Sequence, residues 1–178
     1  MMCSPWQEPC DLILNDRNMR SKILKLSDLS QVIEGLREDG KRIVFTNGCF
    51  DILHVGHVRY LAAARSKGDA LVLGLNSDTS VKSIKPDNRP IVSQDQRAEV
   101  LAGLACVDYI TIFNEPDPLA LIQTIKPDVL IKGADWEEMD IIGSDVVKSY
   151  GGEVVRIEVV PGISTSQIIQ RILKLYGR

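Results

Sequence analysis

Five apolar runs, Ile43 to Thr46, Ala70 to Leu75, Tyr109 to Phe113, Asp128 to Lys132 and Glu153 to Val160, alternate along the chain with stretches of helical period. Strands separated in this way by helices pair in parallel, and helices must then cover both faces of the sheet. Right-handed crossovers leave few topologies for such an alternation. The most economical is an α/β, Rossmann-like, doubly wound five-stranded parallel sheet. Sheets of this class bind ligands at the carboxyl ends of their strands, where the strand order reverses. Function is therefore expected in the segments that follow the apolar runs.

The helices announce their ends. Ser93 with Gln96 and Ser164 with Gln167 fit the capping box, while Gly40, Gly68 and Gly151-Gly152 follow helical segments as stops. A helix beginning near Ser27 or Asp28 carries Leu29, Val32, Ile33 and Leu36 on one face. Met1 to Met19 show neither period nor caps, so residues 1–20 are expected to be a flexible tail and residues 21–178 a single domain. With 178 residues and 44% hydrophobic content, the chain can bury one good core. A formal net charge of −3 gives no electrostatic footprint for nucleic acid, so any phosphate chemistry must be local and the ligands small. No apolar run approaches the ~20 residues that span a bilayer, and the N-terminus lacks a signal pattern. No membrane partner and a cytoplasmic location are the expectations. Cys3, Cys10, Cys49 and Cys106 are scattered as reduced thiols would be.

Both histidines of the chain fall in one run, Thr46-Asn47-Gly48-Cys49-Phe50-Asp51-Ile52-Leu53-His54-Val55-Gly56-His57. The run lies between the first strand and a stretch rich in helix formers, Val58 to Arg65. At such a junction the first helical N–H groups are unpaired and the dipole is positive, which favours phosphate. Gly48 and Gly56 let a ligand approach the main chain. Two imidazoles add N–H donors, and near neutral pH they can carry part of a positive charge. The rival reading is a metal site, but zinc wants three or four N or S ligands, and the cysteines show no C-x-x-C spacing. No protein-held metal is expected.

Other strand ends point the same way. Asn76-Ser77-Asp78 follows the second strand, and then come Lys82, Lys85, Arg89 and, on the next helix, Arg97. A loop leaving the strand end beside His54 could fold Lys85 or Arg89 over a phosphate. Lys132-Gly133-Ala134-Asp135-Trp136 ends the fourth strand, with Gly133 open to close approach and Asp135 able to accept a ribose hydroxyl. Gly162-Ile163-Ser164-Thr165-Ser166 opens the last helix with three hydroxyls, of which capping explains one. No G-x-G-x-x-G or P-loop is present.

These three runs, with Arg89-Pro90-Ile91 and Gln96-Arg97-Ala98-Glu99-Val100-Leu101, resemble the cytidylyltransferase-like nucleotidylyltransferases that carry H-x-G-H. Within them the chain from about Ser21 is most similar to the D-glycero-β-D-manno-heptose 1-phosphate adenylyltransferases. The resemblance implies transfer of AMP from ATP to the sugar 1-phosphate, giving ADP-heptose and pyrophosphate for lipopolysaccharide-core or other surface-glycan synthesis. An ionised phosphate nucleophile needs no general base, and what remains is alignment and charge neutralisation. The implied catalytic residues are His54, His57, Lys85 and Arg97. The nucleotide would meet Thr46, Asn47, Gly48, Cys49, Phe50, Gly56, His57, Arg89, Gly133, Asp135, Ile163, Ser164, Thr165 and Ser166. The sugar phosphate would meet Asp51, Asn76, Asp78, Lys132 and Trp136. Mg2+ would be bound mainly through the ATP phosphates, and a homodimer is implied.

Two departures matter. Ala134-Asp135-Trp136 stands where many relatives read Gly-Asp-Tyr, and the tryptophan is a mark of glycerol-3-phosphate cytidylyltransferases; Val159-Val160-Pro161, however, lacks the basic residue those enzymes carry. The heptose activity is often fused behind a sugar kinase, for which too few residues precede Ser21, so a separate kinase and phosphatase are expected to supply the substrate. Another small-molecule nucleotidylyltransferase and a non-catalytic nucleotide sensor remain as alternatives.

Overall fold

The computed structural model describes residues 19–86 and 88–177. Five strands, β1 (Ile43–Gly48), β2 (Ala70–Asn76), β3 (Tyr109–Phe113), β4 (Val129–Gly133) and β5 (Glu153–Ile157), pair in parallel in the order β3-β2-β1-β4-β5. The helices are α1 (Leu26–Glu38), α2 (Val55–Arg65), α3 (Asp78–Ile84), α4 (Gln94–Ala102), α5 (Leu119–Ile125), α6 (Ser144–Ser149) and α7 (Thr165–Tyr176). The chain grows outward from β1 through β2 to β3, then returns past β1 to build β4 and β5. The reversal lies between β1 and β4, as the doubly wound reading requires.

Side-chain alternation explains why both sheet faces are covered. Ile43 and Phe45 point to the cluster containing Leu29 and Ile33 of α1, Leu121, Ile122 and Ile125 of α5, and Val147 of α6. Val44 points to the opposite cluster, with Leu61 and Ala64 of α2 and Ala98, Leu101 and Ala102 of α4. In β2, Leu71, Leu73 and Leu75 join the second cluster and Val72 the first. Truncating such a residue, Leu73→Ala for example, should cost about 2–5 kcal/mol.

The punctuation is met in part. Ser164 caps α7 by accepting from the Gln167 N–H at 3.2 Å. Ser93 occupies the cap position of α4 but makes no side-chain cap bond. α1 starts at Leu26, ahead of Ser27, whose hydroxyl bonds Asp28 instead. β5 ends at Ile157, short of Val160, and that difference releases Val159 and Val160 for another use. Most of the expected tail lies outside the described residues, as do Cys3 and Cys10; Met19 packs against the core.

Candidate functional site

A cavity of about 750 Å³ opens at the carboxyl ends of β1 and β4, the point where strand order reverses. Five segments wall it. The turn after β1 gives Cys49, Phe50 and Asp51, and α2 gives His54, Gly56, His57 and Tyr60. The stretch after α3 gives Lys85, Pro86, Asn88 and Arg89, and the end of β4 gives Gly133 and Asp135. The run from Val159 into α7 supplies the last wall, including Ile163, Ser164, Thr165, Ser166, Ile169 and Gln170.

The two imidazoles stack face to face, ring centroids 3.8 Å apart and planes 24° from parallel. Their backbone origin explains the geometry. His54 occupies the cap position of α2 in an extended conformation and His57 lies in the first turn, so the rings rise side by side from one helix start. Gly56 makes room for this, because a Cβ there would meet His54 Nδ1 at 2.9 Å. The Phe50 ring supports His57 at 5.2 Å, held by a backbone at φ +45°. Phe50 can lie so because a Cβ on Gly48 would meet its ring at 2.8 Å.

Burial lowers the His57 pKa from 6.5 to about 4, with the nearby His54 charge adding to the effect, and burial lowers His54 as well. Burial thus biases both rings toward the neutral form, against the partial positive charge expected from sequence. Nδ1 of each ring is buried with no hydrogen-bond partner among the described residues. A bare lone pair is cheaper to bury than an unpaired N–H, so the Nε2–H tautomer follows.

Several expected residues lie outside the cavity wall. Arg97 is 2% exposed and fully engaged. Its Nε donates to Val92 O at 2.9 Å, Nη1 to Asn76 O at 2.9 Å and to Cys49 O, and Nη2 to Asp78 Oδ1 at 2.7 Å. The structure places Arg97, expected at phosphate, outside the residues lining the cavity, where its donors tie three segments together. Asn76 and Asp78, expected at the sugar, accept from Arg97 in this latch, and the Asn76 amide donates to Ser80 Oγ. Asp51 borders the cavity, but its carboxylate accepts from the Ile91 and Val92 N–H groups and from Arg89. Burial alone would raise its pKa, and these donors outweigh burial and lower it. Asp51 thus holds the Arg89 loop instead of offering free oxygens to a sugar.

Thr46, Asn47, Gly48 and Lys132 are not among the residues lining the cavity. Lys132 Nζ donates to Asn47 Oδ1, and burial lowers its pKa to about 8 against the pull of Cys49 and Asp135. Trp136, expected at the substrate, is 49% exposed and is not among the residues lining the cavity. Gly133 leaves space for the Asp135 carboxylate to fold back against its backbone. Burial raises the Cys49 thiol despite the cations Lys85, Arg97 and Arg89 around it, which keeps it protonated and unsuited to nucleophilic attack. Of the three α7 hydroxyls, Ser164 caps the helix and Thr165 donates to Ile52 O at 3.3 Å. Ser166 forms no such bond among the described residues.

Tyr60, Ile169, Gln170, Val159 and Val160 were not legible as site residues. For Tyr60 a signal existed, since it stands three residues after His57 and so shares its helical face. Val159 and Val160 were hidden by reading the strand too far. Among the described residues, no group of three or more His, Cys, Asp or Glu side chains could hold a metal ion. Nor is any helix long and apolar enough to cross a membrane.

The family described as cytidylyltransferase-like matches residues 45–171. A protein named bifunctional protein HldE from Geobacter metallireducens is 54% identical over 157 residues, which are 88% of this chain and 32% of that protein. Its namesake from Methylobacillus flagellatus is 51% identical over 151 residues, 85% of this chain and 31% of the other. The chain thus spans about a third of the length of the curated relatives it matches. Among solved structures, the lipopolysaccharide core biosynthesis protein from Thermoplasma volcanium has a TM-score of 0.56 at 26% identity, covering 68% of this chain and 98% of that one. A pantoate-beta-alanine ligase from Francisella tularensis has a TM-score of 0.59 at 16% identity, covering 85% of this chain and 77% of that one, a likeness of fold alone.

Proposed function

Because the chain belongs to the cytidylyltransferase-like family and is a nucleotidyltransferase, we propose that it transfers AMP from ATP to D-glycero-β-D-manno-heptose 1-phosphate. An oxygen of the sugar phosphate attacks the α-phosphorus, the bond to the β-phosphate breaks, and pyrophosphate leaves with the displaced electron pair. The observation that carries the reading is the convergence of the stacked His54 and His57, Lys85, Arg89 and the starts of α2 and α7 on one cavity. The HldE relatives, about half identical over most of this chain, support the heptose substrate.

His54 and His57 donate Nε2–H to phosphate oxygens, gaining strength as negative charge builds in the transition state. Lys85 closes over the triphosphate, with Arg89 held in reach by Asp51. Ser166 and the first N–H groups of α7 receive a further phosphate oxygen. Mg2+ would be bound mainly through the ATP phosphates, where it would neutralise charge. A homodimer, a cytoplasmic location, and a kinase and a phosphatase reaction that make the sugar phosphate complete the proposal.

Pyrophosphate release measured with ATP and the heptose 1-phosphate, against CTP and glycerol 3-phosphate, tests it. Turnover with the first pair is expected, and turnover with the second pair alone overturns the substrate. His57→Ala should lower turnover ~10²-fold or more with a modest change in ATP affinity. A nucleotide sensor would instead lose affinity in proportion to the lost contacts.

A further inference from the structure

Tyr60 stands in the cavity wall with its hydroxyl 2.7 Å from Thr46 Oγ1. Thr46 is completely buried near the end of β1, and its Oγ1 also lies 3.1 Å from Ile131 O on the neighbouring strand β4. These two contacts fix a direction. A carbonyl oxygen can only accept and a threonine hydroxyl has one hydrogen, so that hydrogen goes to Ile131 O. The hydrogen between the two hydroxyls must then come from Tyr60. Its phenol oxygen keeps only lone pairs for whatever enters the cavity.

Phosphate oxygens are acceptors and cannot satisfy such an atom. A ligand group that faces Tyr60 has to bring a hydrogen. On a nucleoside triphosphate the neutral groups able to do so are the ribose hydroxyls and the exocyclic amine of the base. Resting on the nucleotide-transfer reading above, we propose that Tyr60 is a specificity-determining residue, an oriented acceptor for a hydrogen-bond donor of the nucleoside, and that Thr46 is the positioning residue that sets its direction. The cavity is thereby divided. Tyr60 and the Asp135 carboxylate, both acceptors, mark a nucleoside half; His54, His57 and Lys85, all donors, mark a phosphate half. The phenol does not escape the assignment by ionising, because burial pushes its pKa up to about 12, with the Asp135 charge acting in the same direction against the Thr46 hydrogen bond. The relay also accounts for a hydroxyl at Thr46, in a strand whose preceding residues Ile43, Val44 and Phe45 are buried and apolar.

Calorimetric titration of the full chain tests the proposal with ATP, 2′-deoxy-ATP, 3′-deoxy-ATP and purine riboside triphosphate, which lacks the 6-amino group. Tyr60→Phe should weaken ATP binding about 2–12-fold, the range of one neutral hydrogen bond. That loss should vanish for the one analogue lacking the donor, which says whether the ribose or the base supplies it. Thr46→Val frees the phenol hydrogen to turn into the cavity and should erase the discrimination between ATP and that analogue. Thr46→Ser keeps the relay and should restore it. A structural role for Tyr60 would shift the melting temperature yet weaken every analogue equally, and that uniform loss overturns the proposal, as does no loss at all. Wild-type protein that binds CTP but not ATP refutes the adenylyl reading alone, and the cycle then runs on CTP, its deoxy analogues and UTP. Binding of no nucleoside triphosphate refutes both.

Discussion

Replacing Arg97 by Met separates a structural latch from a phosphate ligand. The guanidinium is buried and donates to Val92 O, Cys49 O and Asn76 O as well as to Asp78 Oδ1. Methionine fills similar space but leaves a carboxylate and three carbonyls without their donor. Removing one member of a fully buried ion pair costs about 3–5 kcal/mol. Asp78 is 33% exposed, so water recovers part of that penalty and its share falls to about 1.5–3 kcal/mol. Each carbonyl adds about 1 kcal/mol when partly rehydrated. The terms share one cavity and do not add fully, which places the total near 3–5 kcal/mol. For a chain of this size each kcal/mol moves the melting temperature by about 2–4 °C, so the midpoint of thermal unfolding followed by circular dichroism should fall by about 6–20 °C. Arg97→Lys should recover only part of the loss, since an ammonium cannot reproduce the fork. A melting temperature within ~2 °C of wild type, together with a ≥10-fold loss of ATP affinity, would refute the latch.

Three further outcomes follow from the same geometry. The Asp51 pKa is lowered by folding, so its stabilisation is present above the ordinary carboxylate value near 3.8 and is lost as pH falls through the folded value. Asp51→Asn should therefore be less stable at pH 7 and lose that deficit in urea melts below about pH 4. Both histidine pKa values are also lowered, so between about pH 4 and 6.5 the unfolded chain binds more protons and the ligand-free protein should lose stability as pH falls. A bound triphosphate restores protonation, hence ATP titrations near pH 6 in buffers of different ionisation enthalpy should show proton uptake that His54→Asn/His57→Asn abolishes. Gly56→Ala should leave the melting temperature within a few degrees while displacing the His54 ring, which lies 2.9 Å from the added methyl, and pyrophosphate release should fall about 10–100-fold.

The fold was legible because its cause is local: apolar runs such as Ala70 to Leu75 can be buried on both faces only between two helical layers. The histidine pair was legible for the same reason, being adjacent in sequence. The surroundings of Arg97 were not legible because a cation near a strand end looks alike whether it faces ligand or carbonyls. Only the meeting of residues 49, 76, 78 and 92 around it decides the matter. Tyr60 was missed because its meaning depends on Thr46 and Ile131, neighbours on two strands of the sheet against which its hydroxyl comes to rest.

α2 starts without a side-chain cap, since His54 holds that position and makes no cap bond. An uncapped start forgoes about 0.5–2 kcal/mol, and a triphosphate at 100 times its Kd contributes about 2.7 kcal/mol to the folded state. A nucleotide seated at this helix end, as proposed, would fasten what the sequence leaves uncapped, and the melting temperature should then climb with ATP concentration.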